Sequence, residues 1–201
     1  MTDEFLNKTY QPLSAAQTTA HYDKWAATYD AEISENGYAT PGRCAEALAR
    51  HLSDKSAPIL DFGCGTGLSG LALAHEGFTT IDGIDPATEM LSQADARGLY
   101  RNLTATAPGD TPDTGYAAIC AIGVIGVGAA PPSVAAQILT TLRPGGLFVF
   151  SLNDHALGDR AFTSARDALT TSGRARELFH EYGSHLPGIN LNSSVYVIEK
   201  L

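Results

Sequence analysis

Ile59-Leu60-Asp61-Phe62-Gly63-Cys64-Gly65-Thr66-Gly67 is the stretch from which the rest of the chain is read. A short apolar run empties into three glycines spaced two apart, and a helical pattern follows from Leu68. Such a turn lets the backbone approach a ligand where any Cβ would collide with it. The next apolar run ends in Gly83-Ile84-Asp85-Pro86, which sets a carboxylate twenty residues after Gly65. A carboxylate there can accept hydrogen bonds from two vicinal ribose hydroxyls. The two stretches together predict a nucleoside-bearing ligand lying across the strand ends of an open α/β sheet.

Working outward, strands and helices alternate. The pattern predicts strands at 58–62, 79–84, 102–106, 117–122 and 147–152, and helices at 68–75, 86–96 and 133–142. A helical stretch at 159–171 is followed by two strands, 176–182 and 194–198, joined by a Gly/Pro/Asn loop. The expected fold is a Rossmann-like, doubly wound, seven-stranded and mainly parallel sheet, with an antiparallel C-terminal strand and helices on both faces. Two helices are expected ahead of it. One covers 21–31 with Tyr22, Trp25, Ala26 and Tyr29 on one stripe, and the other covers 41–51 with Pro41 in its first turn. Residues 1–201 read as one domain, with 1–18 loosely ordered.

Composition bounds the partners. Thirteen Lys and Arg stand against 22 acids, for a formal charge of −9, and no basic run occurs. A nucleic acid would meet net repulsion, so none is expected as substrate. Three scattered cysteines, Cys44, Cys64 and Cys120, form no CxxC pair and read as reduced thiols of a cytoplasmic protein. The acidic start carries no apolar leader, and the apolar stretch near 119–130 is too short and too glycine-rich for a membrane span. No His or acidic cluster has the spacing of a metal site, so no metal is expected. The C-terminal hairpin offers an edge through which a homodimer can form.

Gly65-Thr66-Gly67-Leu68-Ser69-Gly70 also satisfies the dinucleotide pattern GxGxxG, which alone would admit NAD and an oxidoreductase. Asp61 at the strand end opposes that reading, since it would repel a pyrophosphate but hold a cationic ligand. Asp61-Phe62-Gly63-Cys64-Gly65-Thr66-Gly67, then Gly83-Ile84-Asp85-Pro86, then Leu142-Arg143-Pro144-Gly145-Gly146-Leu147 resemble the successive motifs of class I S-adenosylmethionine-dependent methyltransferases. The leading Tyr22-Asp23-Lys24-Trp25-Ala26-Ala27-Thr28-Tyr29-Asp30 is similar to the entry helix of small-molecule members of the ubiquinone/menaquinone type. Ser151-Leu152-Asn153-Asp154-His155 is similar to a segment of methyltransferase-like proteins.

The resemblance implies S-adenosylmethionine as cofactor, S-adenosylhomocysteine as product and a small-molecule acceptor. It implies that Gly63, Cys64, Gly65 and Thr66 approach the methionyl part, with Asp61 near its cationic end. Asp85 then takes the ribose hydroxyls or caps the following helix, and Pro86 and Met90 pack beside the adenine. Ala121, Ile122 and Gly123 line the cofactor after the fourth strand. Tyr22 and Trp25 either touch the ligand or belong to the core, and the N-terminal helices over 20–55 cover the site. Relatives carry an Asp after the third strand for the adenine amino group, whereas Ala107 stands here. Backbone groups, Asp110 or Asp113 are left to serve instead. His155 is a candidate general base or a plain loop histidine. The departures at Ala107 and Ala117 keep open a degenerate cofactor-binding module.

Overall fold

The computed structural model describes Phe5, Thr9 and residues 13–201. Two helices, α1 (Ala15–Glu35) and α2 (Thr40–His51), precede the alternating core: β1 (Ile59–Phe62), α3 (Leu68–His75), β2 (Ile81–Asp85), α4 (Thr88–Ala96), β3 (Asn102–Ala105), β4 (Ala118–Ala121), α5 (Ser133–Thr141) and β5 (Leu147–Asn153). A short α6 (Asp154–Gly158), then α7 (Arg160–Thr171), β6 (Ala175–Leu186) and β7 (Leu191–Lys200) complete it. The sheet order is β3-β2-β1-β4-β5-β7-β6. The first five strands pair parallel, and β7 runs antiparallel to both β5 and β6. The expected seven-stranded architecture is therefore present.

Strand parity builds the two faces, because successive side chains point to opposite sides. Leu60, Ile119, Phe148, Phe150, Tyr196 and Ile198 pack with α5 and α7. Their neighbours Ile59, Cys120, Val149, Val195 and Val197 pack with α2 and α3 on the other face. Phe150 bridges Phe148 and Tyr196 in a stacked row across two strands, with centroids 4.6 and 5.0 Å apart. A third cluster lies off the sheet, where Trp25, Ala26 and Ile33 of α1 meet Ala87 and Met90 at α4. This packing lays α1 over the carboxyl ends of the strands.

Several boundaries move for local reasons. Helix α1 begins well before residue 21, because Ser14 and Gln17 form a reciprocal capping box at its start. The expectation of loose order over 1–18 falls largely outside the described residues, and Ala15–Thr18 already belong to α1. Helix α4 starts at Thr88, two residues late, because the Asp85 carboxylate accepts the Ala87 N–H at 2.8 Å and holds a turn there. Asp85 is therefore not that helix's N-cap, a position taken by Ala87. The terminal hairpin is longer than expected at both ends, and Asn190 closes it in the left-handed region at φ 55°. Asparagine tolerates that conformation better than other non-glycine residues.

Gly70 in α3 illustrates how tightly the parts fit. A Cβ built there would stand 2.3 Å from the Tyr100 hydroxyl and 2.4 Å from its Cζ. Helix propensity alone favours alanine at such a position. Overpacking opposes it, so Gly70→Ala should lower stability in urea melts by about 1–3 kcal/mol, with recovery when Tyr100→Leu is added. A neutral or stabilising Gly70→Ala would refute this packing of Tyr100 over α3.

Candidate functional site

The loop after β1 is bent by three glycines with positive φ: Gly63 (71°), Gly65 (53°) and Gly67 (90°). Two of them make room for a neighbouring side chain. A Cβ on Gly63 would meet Val124 Cγ2 at 2.5 Å, and one on Gly67 would meet Arg97 Cδ at 3.0 Å. A Cβ on Gly65 would meet no described atom within 4 Å, so the loop there borders open space. That space is a cleft of about 340 Å³ over the ends of β1, β2 and β4.

Eleven of the fifteen residues singled out from the sequence line this cleft: Tyr22, Gly63, Cys64, Gly65 and Thr66 on one side, and Asp85, Pro86, Met90, Ala107, Ile122 and Gly123 around the rest. The other four lie elsewhere. Trp25 lines a smaller adjoining cavity, Ala121 is buried in the core, and Asp61 lies beneath the glycine loop. His155 is exposed on α6 and borders neither space. Asp110 joins the cleft lining while Asp113 does not, and Asp110 Oδ2 accepts the Ala107 N–H at 2.8 Å. The turn at Ala107 thus brings a carboxylate to the end of β3 by a three-residue detour.

Asp85 is the polar centre of the floor. Its Oδ2 accepts the Gly65 N–H at 2.9 Å while its Oδ1 holds Ala87. Burial raises its pKa, and the two backbone donors oppose that rise. Each carboxylate oxygen has two lone-pair directions, so both oxygens keep capacity to accept from a ligand. The Cys64 thiol is driven well above its ordinary range by burial, which leaves it a neutral loop residue and no nucleophile.

Asp61 follows strand parity. It shares the face of Ile59, the one covered by α3, where Oδ2 accepts from Ser69 Oγ at 2.6 Å and from Tyr100 Oη at 2.7 Å. Its Oδ1 is buried with no hydrogen-bond partner among the described residues. Desolvation pushes its pKa up to about 6 against those hydrogen bonds.

Helix α1 is tied to the loop by contacts that the sequence reading missed. Thr66 Oγ1 donates to Asp30 Oδ1 at 2.6 Å, Arg97 Nε donates to the Thr66 carbonyl at 2.6 Å, and the Arg97 guanidinium pairs with Asp30. Farther along, Asp23 Oδ1 accepts the Glu89 N–H at 3.0 Å in the first turn of α4. The signal for these ties was the pair of acids Asp23 and Asp30, about two helical turns apart and so on one flank of the aromatic stripe. Among the described residues, no group of three His, Cys, Asp or Glu side chains is disposed to hold a metal ion. No described helix is long and apolar enough to cross a membrane.

The raised Asp61 pKa carries a sign. The folded chain keeps this proton up to about pH 6, whereas the unfolded chain releases it near 3.8. Stability contributed by the protonated form is therefore lost as pH rises through that window. Relative to Asp61→Asn, the native chain should lose on the order of 3 kcal/mol between about pH 4 and pH 7 in urea melts. Parallel stability curves for the two proteins would overturn the burial of Asp61.

A family model described as a methyltransferase domain matches residues 37–190. Human methyltransferase-like protein 27 is 34% identical over 138 residues, which cover 66% of this chain and 56% of that protein. The chain thus matches little more than half the length of that relative. Among solved structures, one from a complex that contains the Haloferax volcanii Trm112 methyltransferase activator superposes with a TM-score of 0.68 at 16% identity, over 89% of this chain and 97% of that one. An S-adenosylmethionine-dependent methyltransferase from Thiobacillus denitrificans, in complex with S-adenosyl-L-homocysteine, gives 0.56 at 13% identity, over 79% and 91%. At those identities the structures speak to the fold, while the family model speaks to ancestry. Neither favours an NAD oxidoreductase.

Proposed function

This chain belongs to the methyltransferase domain family, and we propose that it is an S-adenosylmethionine-dependent methyltransferase that acts on a small-molecule acceptor. The observation that carries the acceptor class is the lining of the cleft. Among the described residues no Lys or Arg side chain borders it, and its acids are Asp85 and Asp110. A polyanion would find no counter-charge there, and the surrounding net charge of −9 opposes its approach. The roof formed by α1 leaves room for a small ligand.

The donor set fits the cofactor. Asp85 is a buried acceptor at the end of β2, suited to the ribose diol, and Gly65 leaves open space where a Cβ would intrude. Pro86, Met90 and Ile122 line the cleft with an apolar wall that would take the adenine, and Asp110 would accept from its amino group. Backbone of Gly63–Thr66, which lines the cleft, would hold the methionyl part, with Tyr22 on the α1 side. Asp61 supports this loop from below by anchoring Ser69 and Tyr100.

S-adenosylmethionine supplies a methyl group already activated by its sulfonium sulfur. The residues have only to align the acceptor, exclude water and keep the loop rigid, and positioning of this kind is worth roughly 7–11 kcal/mol in favourable cases. Helix α1 excludes water by covering the strand ends, and the Asp30, Thr66 and Arg97 contacts hold it there. His155, exposed on α6, has no part in this arrangement.

Calorimetry with S-adenosylhomocysteine is the direct test, and absence of binding at millimolar concentration would remove the reading. Asp85→Ala should weaken binding by more than about tenfold, since it deletes a buried charge-assisted acceptor and also releases Gly65. Asp110→Ala should weaken it by about fivefold, the range expected for one hydrogen bond, while Asp113→Ala leaves it unchanged. Equal effects at 110 and 113 would dismiss Asp110 as the adenine partner.

A further inference from the structure

A second cavity of about 50 Å³ opens beside the main cleft and shares Tyr22, Tyr29, Tyr38 and Gly123 with it. It runs between α1, the loop after β4 and the ends of β5 and β6, bordered by Trp25, Ser151, Asn153 and His185. Among the described residues, no Lys, Arg, Asp or Glu lines it. The space suits the reacting end of a molecule whose remainder lies in the larger cleft.

Two polar atoms of its walls, of which the Trp25 nitrogen is buried, lack hydrogen-bond partners among the described residues. Trp25 is 1% exposed, and its Nε1 has no hydrogen-bond partner among the described residues. His185 is 6% exposed and uses Nδ1 against Thr40 Oγ1 at 2.7 Å, while its Nε2 makes no hydrogen bond within the described structure. Thr40 Oγ1 in turn meets Ser193 Oγ at 3.0 Å, which accepts from Arg43 Nη1 at 3.1 Å. Arg43 is occupied there and by the Glu181 and Ser184 carbonyls, so its charge does not enter the cavity. Tyr38 packs edge-on against the imidazole at 5.2 Å. A side chain so deeply buried and braced on one nitrogen is held in a single orientation, with its other nitrogen left for a ligand.

We infer that this cavity receives the acceptor end of the methyl-transfer site, and that it is built for an uncharged, hydroxyl-bearing small molecule bound at His185 Nε2 and Trp25 Nε1. The inference rests on the methyltransferase reading above and adds the substrate class. Trp25 Nε1–H only donates, so it calls for a ligand oxygen. A neutral imidazole presents either N–H or a lone pair at Nε2, and a hydroxyl answers both because it donates and accepts. Burial pushes the His185 pKa down to about 4, which keeps the ring neutral at physiological pH. A carboxylate entering here would be desolvated without a cation, and an ammonium without an anion. Both charged classes are therefore excluded by the lining, and a hydroxyl is accepted.

The chain has one tryptophan, so one indole N–H resonance reports on this cavity. With S-adenosylhomocysteine present, benzyl alcohol, benzoate and benzylamine are titrated at millimolar concentration against ¹⁵N-labelled protein. The Trp25 indole and His185 imidazole signals are followed throughout. Benzyl alcohol should shift both signals saturably, with the two charged analogues more than about tenfold weaker. His185→Ala should weaken benzyl alcohol by about fivefold and leave S-adenosylhomocysteine affinity intact. Shifts of equal size from all three probes overturn the proposal. So does an unmoved pair of signals in protein that binds S-adenosylhomocysteine. Titration of the unmutated chain decides the matter even if His185→Ala fails to fold. Failure of S-adenosylhomocysteine itself to bind would count against the methyltransferase reading, separately from the alcohol's effect on Trp25.

Discussion

The N–H groups of Gly65 and Ala87 converge on one carboxylate, that of Asp85, from two different chain reversals. Parallel pairing of Phe62 with Ile84 brings the ends of β1 and β2 level, and the Ile84 carbonyl accepts from both Gly63 and Cys64. The loop after β1 is therefore braced from below by a strand end and from the side by an acid. Without that brace, three glycines in succession would form a turn with many conformations, since glycine loses most freedom on ordering. The cleft has a defined floor because Asp85 accepts its burial in exchange for two backbone hydrogen bonds.

The roof depends on a different kind of contact. Asp30 is nearly half exposed, so its pairing with Arg97 contributes little stability as an ion pair. Its value is geometric. Arg97 reaches across Gly67, which has no side chain to stop it, and joins Asp30 to the Thr66 carbonyl. One arginine thus links the end of α4, the glycine loop and α1. The packing of Trp25 and Ile33 against Met90 supplies the apolar burial, and the polar ties set where α1 lies along the strand ends. The site is then enclosed by an element that belongs to none of the alternating units.

Much of this was legible in the chain itself. The alternation of apolar runs with helical stripes predicted a doubly wound, mainly parallel sheet, because strands joined by helical crossovers run parallel. Gly63, Gly65 and Asp85 could be assigned to one site because a glycine turn and an acid at a fixed spacing form a local unit. Asp61 was misplaced, and its parity with Ile59 was the overlooked clue. Two residues apart in a strand means one face, and that face is the one under α3 rather than the cleft. His185 gave no local signal at all. Its significance comes from Thr40, 145 residues away, and from the cavity that neither segment forms alone.

By itself the sequence determined the sheet, the glycine turn and the acid beside it, since each follows from periodicity or short-range geometry. Only the tertiary structure decided which side chains share the space above the strand ends. That space is bounded by α1, the loop after β4 and the far end of β6, brought together by packing over long sequence separations. Spacing along the chain cannot say which polar atoms such packing will satisfy and which it will leave open. Here it satisfied Asp61 Oδ2 and His185 Nδ1, and left Trp25 Nε1 and His185 Nε2 without a hydrogen-bond partner among the described residues.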